Sequence, residues 1–159
     1  MLTVPLAAQI AAVKAIKSNL SPNAILIDTT VPLEAAVGGR VSRILPLWDG
    51  SAAQQSARLL GTTARVVAAF HSLSADSLRD LSRPLDSDVL ICGDDPEARE
   101  AAAELARKIP GVNPVDMGPL DNARYAEHLA ATLIALNIRH KVKSSGVRFS
   151  GLPTSKDPL

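Results

Sequence analysis

The sequence predicts an α/β fold, with a parallel sheet covered by helices on both faces and a last long helix extending it at the C-terminal end. Three observations predict it. Short runs rich in Val, Ile and Leu alternate with amphipathic helical stretches along the whole chain. The runs are continuously apolar rather than alternating, which suits strands buried on both faces. Aromatic residues make up 3% of a chain that is 47% hydrophobic, so the core must be built mainly from Ala, Leu, Ile and Val. Such small side chains let helices lie close on a sheet.

Taken in order, Met1-Leu-Thr-Val-Pro5 reads as the last residues of a strand entering a helix over Leu6–Asn19. Ala24–Thr30 (AILIDTT) reads as a strand, followed by a long connection from Val31 to Gly50 with Gly38-Gly39, Pro46 and the only tryptophan, Trp48. Connections of that length in compact domains are lids or binding loops, with disorder as the competing reading. A helix over Ser51–Leu60 leads to a strand at Arg65–Phe70, then a helix at Ser74–Leu81 and a strand at Ser87–Cys92. The helix over Pro96–Lys108 carries the clearest punctuation. Asp94 or Asp95 can cap it, Pro96 suits its first turn, Glu97 favours the positive end of its dipole, and Pro110-Gly111 stops it. Capping explains Asp94-Asp95 more simply than paired acid–base carboxylates do. Asn113–Asp116 reads as a shorter strand. The last helix runs from about Asn122 to His140, with Ala126, Leu129, Ala130, Leu133 and Asn137 at the spacing of one packed face. That face suits packing against a second copy or across the helix's own sheet.

Length and composition bound the function. The 159 residues suit one domain, and a net charge of +1 excludes an overall basic footprint for nucleic acid. No apolar run reaches the length of a membrane span, and the N-terminus does not read as a secretory signal, so the expected setting is cytoplasmic. The single cysteine, Cys92, sits in the apolar run Asp88–Gly93 and reads as a small core residue rather than a nucleophile. No Cys/His cluster suggests zinc. The most telling stretch is Val115–Lys141, where a strand end, a Gly-Pro turn and a long helix with a basic end follow one another. It reads as half of a nucleotide-cofactor site, yet nowhere in the 159 residues is there a G-x-G-x-x-G loop.

Several short motifs occur in a telling order: Thr3-Val-Pro5, Asp28-Thr-Thr-Val-Pro-Leu33, Ala69-Phe-His71, Ile91-Cys-Gly-Asp-Asp95, Val115-Asp-Met-Gly-Pro-Leu120, and Gly146-Val-Arg-Phe149 with Gly151-Leu152. Together they resemble the NADPH-dependent coenzyme F-420 reductase family, also called F-420-dependent NADP oxidoreductase. The resemblance implies a partial Rossmann-like parallel sheet and a homodimer. It implies that 1–119 are the C-terminal portion of an NADP-binding domain, that 120–152 form a helix and tail bordering the deazaflavin site, and that 153–159 form a flexible tail. The implied cofactors are NADP and coenzyme F-420, an 8-hydroxy-5-deazaflavin, which exchange a hydride directly. No side chain then acts as a catalytic residue or metal ligand. Carried over residue by residue, Val4, Pro5 and Leu6 match the turn flanking NADP near its nicotinamide end, and Val31 and Pro32 match the loop between the cofactors. His71 matches a histidine beside the deazaflavin ring, and Ala75 lies on the turn closing that region. At a strand end His71 reads on its own as structural; with the resemblance it reads as a ring-contacting group. Arg139, His140, Lys141, Lys143 and Arg148 would draw in the coenzyme's phosphate and glutamate tail.

The chain also departs from the family pattern. A member begins with a strand, a glycine-rich phosphate loop and a helix, followed by a motif for the 2′-phosphate. Gly38-Gly39-Arg40 does not replace that loop, because it lies within the long connection. The expectation is therefore a truncated product with impaired NADP binding and exposed sheet edges. The alternative is a non-catalytic deazaflavin-binding or dimerisation module. A different Rossmann dehydrogenase, such as a pyrroline-carboxylate-reductase relative, fits the Gly-Asp-Asp and Met-Gly-Pro-Leu motifs less well.

Overall fold

The computed structural model describes residues 1–152; the tail expected at 153–159 lies outside the described residues. Four strands, β1 (Ala24–Asp28), β2 (Ala64–Ala68), β3 (Ser87–Gly93) and β4 (Val112–Asp116), form one sheet in sequence order. Five helices accompany them: α1 (Leu6–Lys17), α2 (Ala52–Leu60), α3 (Ala75–Arg79), α4 (Pro96–Arg107) and α5 (Ala123–His140). Leu2 adds a parallel bridge to Asp28, its N–H donating to the Ile27 carbonyl at 2.8 Å, so the chain does enter α1 from a strand end.

β1 and β2 pair in parallel from Ala24↔Ala64 to Asp28↔Ala68, and β3 and β4 pair in parallel from Ser87↔Val112 to Ile91↔Asp116. The central pair departs from the all-parallel expectation: β2 and β3 are antiparallel through Val67↔Gly93 and Ala68↔Cys92. A parallel neighbour needs a crossover helix that carries the chain back to the starting edge. The helix expected over Ser74–Leu81 shortens to the five-residue α3, too short for that return, and the chain simply reverses.

Alternation along the strands sends side chains to two apolar layers. Leu26, Val66, Ala68 and Cys92 meet Val13 of α1, Ala53 and Leu60 of α2, and Ala123 of α5. Ile27, Val67, Val89 and Ile91 face the other way, onto Ala98, Ala102, Ala103 and Ala106 of α4. The alanine stripe on α4 is what allows that close approach. Cys92 belongs wholly to the core, and burial pushes its thiol up to about 12.

The helix ends follow the sequence signals. Ser51 caps α2 by accepting from the Gln54 N–H at 3.0 Å, and Asp95 caps α4 by accepting from the Ala98 N–H at 2.9 Å. Asp94 reaches across instead and accepts from the Leu120 N–H at 2.9 Å, pinning the turn that leads into α5. Of the two carboxylates, Asp95 is the cap of α4 and Asp94 a tether to the turn before α5. The 31–50 connection folds back on itself. The Leu45 N–H donates to the Pro32 carbonyl at 2.6 Å and the Glu34 N–H to the Arg43 carbonyl at 2.8 Å, while Trp48 stands fully exposed near its end.

Candidate functional site

In open α/β sheets, ligands bind outside the carboxyl ends of the strands. Here β1 and β2 end at the same edge, and the predicted residues fall along it. Pro5 introduces α1 in an extended conformation, and the Thr30 hydroxyl lies 3.5 Å from the Val4 carbonyl. Val4, Pro5 and Leu6 therefore stand beside the segment that carries Val31 and Pro32 out of β1. Pro32 is buried; Val4, Leu6 and Val31 are half-buried; Pro5 is exposed.

Beneath this edge lies a polar cluster that sequence reasoning missed. Asp28, fully buried, accepts from Gln9 Nε2 at 2.8 Å, from the Ser56 hydroxyl at 2.6 Å and from the Thr30 N–H at 2.8 Å. Gln9 Nε2 also donates to the Ala52 carbonyl at 2.8 Å, and Gln9 Oε1 accepts from Gln55 at 2.8 Å. One carboxylate and one amide thereby lock α1, β1 and α2 together. Glu127 of α5 is equally buried, and its two oxygens accept the Ala52 and Ala53 N–H groups at 3.0 and 3.1 Å. It satisfies the free donors at the start of α2. Burial nevertheless pushes its carboxyl up to about 8, against those two hydrogen bonds and with help from the Asp28 charge. The available signal was Glu127 lying between Ala123 and Ala131, on the same helical stripe as the small residues.

His71 follows β2 after Phe70, whose φ of 68° is a strained conformation for a bulky side chain. Its ring sits in a tight space with Ser72, Leu90, Ala126 and Leu129, and both ring nitrogens are buried without a hydrogen-bond partner. Burial lowers its pKa to about 4; the Asp28 charge and the nearby Thr30 main chain oppose that shift without reversing it. The imidazole is therefore neutral near pH 7, with one N–H to give and one lone pair to accept. A base that weak is a hydrogen-bonding group, not a proton acceptor for catalysis. Val4, Val31 and His71 thus converge around Thr30, whereas Ala75 is exposed at the first turn of α3, beyond the Ser72–Ser74 turn.

The C-terminal cations divide. Arg148 is a structural strut, contrary to the sequence expectation: it reaches Asp86 and Asp88, each at 2.7 Å, and the Gly111 carbonyl at 2.8 Å. Asp88 is buried, and although burial alone would raise its pKa, bonds from the Phe149 N–H, Arg148 and Asn113 hold it below the usual carboxylate range. Arg139, His140, Lys141 and Lys143 remain exposed at the end of α5. Among the described residues no helix is long and apolar enough to cross a membrane.

No family model matches the sequence. It is 45% identical over 156 residues to an F420-dependent NADP reductase of Methanothermobacter marburgensis, covering 96% of this chain and 68% of that protein. A reductase of the same name from Methanocaldococcus jannaschii is 36% identical over 152 residues, covering 96% of this chain and 67% of the relative. Among solved structures, a candidate F420-dependent NADP reductase from Arthrobacter sp. FB24 superposes with a TM-score of 0.80 at 26% identity, covering 93% of this chain and 67% of that one. The chain spans about two thirds of the length of these relatives. An α/β layer structure with one sheet edge gathering Val4, Thr30 and His71, joined to 45% identity over nearly the whole chain, places it: the chain belongs to the F420-dependent NADP reductase family.

Proposed function

We propose that this chain takes part in hydride transfer between NADP(H) and the 8-hydroxy-5-deazaflavin coenzyme F-420. Val4, Pro5 and Leu6 flank the nicotinamide end, Val31 and Pro32 lie between the two ring systems, His71 meets the deazaflavin, and Ala75 sits on the turn that closes that region. The observation that carries the reading is His71, a neutral imidazole whose buried nitrogens have no partner. Each unmet buried polar group costs about 1–3 kcal/mol, a cost that a hydrogen-bonding ring beside it would relieve.

The bound coenzymes supply the hydride chemistry itself. The chain's residues orient and exclude water: apolar Val4, Leu6, Val31 and Pro32 offer a dry surface, and His71 gives and accepts one hydrogen bond each. The scheme asks no side chain to carry a proton and needs no metal ligand. The working assembly is a homodimer in the cytoplasm, with Leu136 and Ile138 of α5, 43% and 58% exposed, as the apolar surface offered to a second copy. The 1–119 segment supplies the NADP side, and the 120–152 segment borders the deazaflavin.

A second reading is a non-catalytic deazaflavin-binding or dimerisation module, for which the exposed Leu136 and Ile138 of α5 offer an apolar surface. One experiment separates the readings: the chain is mixed with NADPH and oxidised F-420 while deazaflavin absorbance is followed. Bleaching that His71→Ala slows supports hydride transfer. Deazaflavin binding without bleaching supports the module, and neither binding nor bleaching refutes both.

A further inference from the structure

Asp28 ends β1 on the face it shares with Leu26, fully buried and in register with buried Ala68 of β2. A carboxylate buried at such a position is costly, and an apolar side chain of similar volume is often at least as stabilising. Stability alone therefore does not account for it.

Its two oxygens do different work. Oδ2 meets the helices, accepting from Gln9 Nε2 at 2.8 Å and from the Ser56 hydroxyl at 2.6 Å. Gln9 joins α1 to α2 without that oxygen, donating to the Ala52 carbonyl at 2.8 Å and to the Ser56 hydroxyl at 3.0 Å. Oδ1 accepts from the Thr30 N–H at 2.8 Å, two residues on, and closes an Asx turn where the chain leaves the sheet.

From Thr30 the hold spreads outward. Thr30 is 2% exposed, its hydroxyl lies 3.5 Å from the Val4 carbonyl, and its main chain faces the His71 ring together with the Asp28 charge. Beyond it the Leu33 N–H donates to the Val31 carbonyl at 2.9 Å and the Leu45 N–H to the Pro32 carbonyl at 2.6 Å. Fixing the Thr30 peptide thus sets the direction in which Val31 and Pro32 leave β1 and the surface against which the imidazole stands. We propose that Asp28 is a positioning residue: through Oδ1 it holds the Thr30 peptide and so places Val31, Pro32 and His71 for a bound ligand. That the ligand is a deazaflavin rests on the reading under Proposed function; the hold on Thr30 does not.

The test has two arms and three variants. Asp28→Asn keeps an oxygen for the Thr30 N–H and turns its NH₂ toward Ser56, whose hydroxyl can accept. Asp28→Leu keeps the bulk and removes the acceptor. Ser56→Ala disturbs only the helix side. In the first arm, without ligand, amide hydrogen exchange at Thr30 should be slow in wild type and Asp28→Asn and roughly tenfold faster in Asp28→Leu. Equal exchange in wild type and Asp28→Leu overturns the proposal. Should Asp28→Leu not fold, the scalar coupling across the hydrogen bond from Thr30 N to Asp28 Cγ in the wild type decides the point, and its absence overturns the hold.

In the second arm, oxidised F-420 is titrated into each protein and urea unfolding is measured alongside. Affinity should fall roughly tenfold in Asp28→Leu and stay near wild type in Asp28→Asn and in Ser56→Ala, although Ser56→Ala unfolds at lower urea. Affinity that falls in step with stability across all three variants overturns the positioning role and leaves Asp28 a lock between helices. No F-420 binding by the wild type refutes the deazaflavin reading and the ligand half of the inference with it, while the first arm still decides the hold on Thr30.

Discussion

Replacing Glu127 by glutamine tests the polar core most sharply. The wild-type carboxyl is buried, its pKa is pushed up to about 8 from an ordinary value of 4.5, and the same group is exposed and ionised near 4.5 when the chain unfolds. The folded state therefore holds a proton that the unfolded state has released between those two values. The stability from this group is complete below pH 4.5 and is lost as the pH rises through 8. A displacement of that size is worth at most about 5 kcal/mol, at about 1.4 kcal/mol per pH unit. Glutamine cannot ionise, so that dependence disappears. It keeps one oxygen for one α2 N–H but turns its own NH₂ toward the other, a mismatch that costs about 1–3 kcal/mol at every pH.

The assay is urea unfolding followed by circular dichroism for both proteins at pH 5, 6, 7 and 8. Trp48 is fully exposed and would report little. The expected result is a glutamine variant less stable than wild type at pH 5, with the gap closing as the pH rises. His71 also titrates in part of this range, but it is present in both proteins and cancels in the difference. A stability gap that stays flat from pH 5 to pH 8 would refute the reasoning. It would mean that the two α2 N–H groups hold the carboxyl ionised throughout and outweigh burial.

His71→Leu removes two buried unpartnered nitrogens and a group whose pKa falls to about 4 on folding. Wild type loses up to about 3 kcal/mol as the pH drops from 6.5 through 4, so the variant should unfold later in an acid titration while binding F-420 more weakly. Arg148→Ala strands the buried Asp88 carboxylate; thermal unfolding should show a loss of about 2–4 kcal/mol, and limited proteolysis should cut near Val147. Charge reversal at Lys141 and Lys143 should lower F-420 affinity and flatten its salt dependence, measured by titration at two ionic strengths, while leaving unfolding unchanged.

The elements were legible because each carried its own local signal. The Asp95–Pro96 start of α4 and the apolar run of β3 state their identity in a few residues. The direction of β3 was not legible. It depends on how far a weakly helical, serine-rich stretch travels across the sheet, and no residue in 74–81 encodes that distance. Arg148 was misread for a similar reason, since a cation at the end of a basic run looks solvent-facing until β3 brings Asp88 beneath it.

What the sequence hid in the site is of another kind. Gln9, Asp28 and Glu127 are polar residues inside apolar patterns, where pattern reasoning treats them as exceptions and looks past them. Their partners lie on other elements: Asp28 is met by Gln9 of α1 and Ser56 of α2, and Glu127 by the α2 backbone. Yet they are not scattered. Strained Phe70, partnerless His71, buried Asp28 and the raised Glu127 carboxyl all gather around the carboxyl ends of β1 and β2 and the first turns of α2 and α5. Residues that break local rules are tolerated where the surrounding structure over-determines them, and they concentrate at working sites.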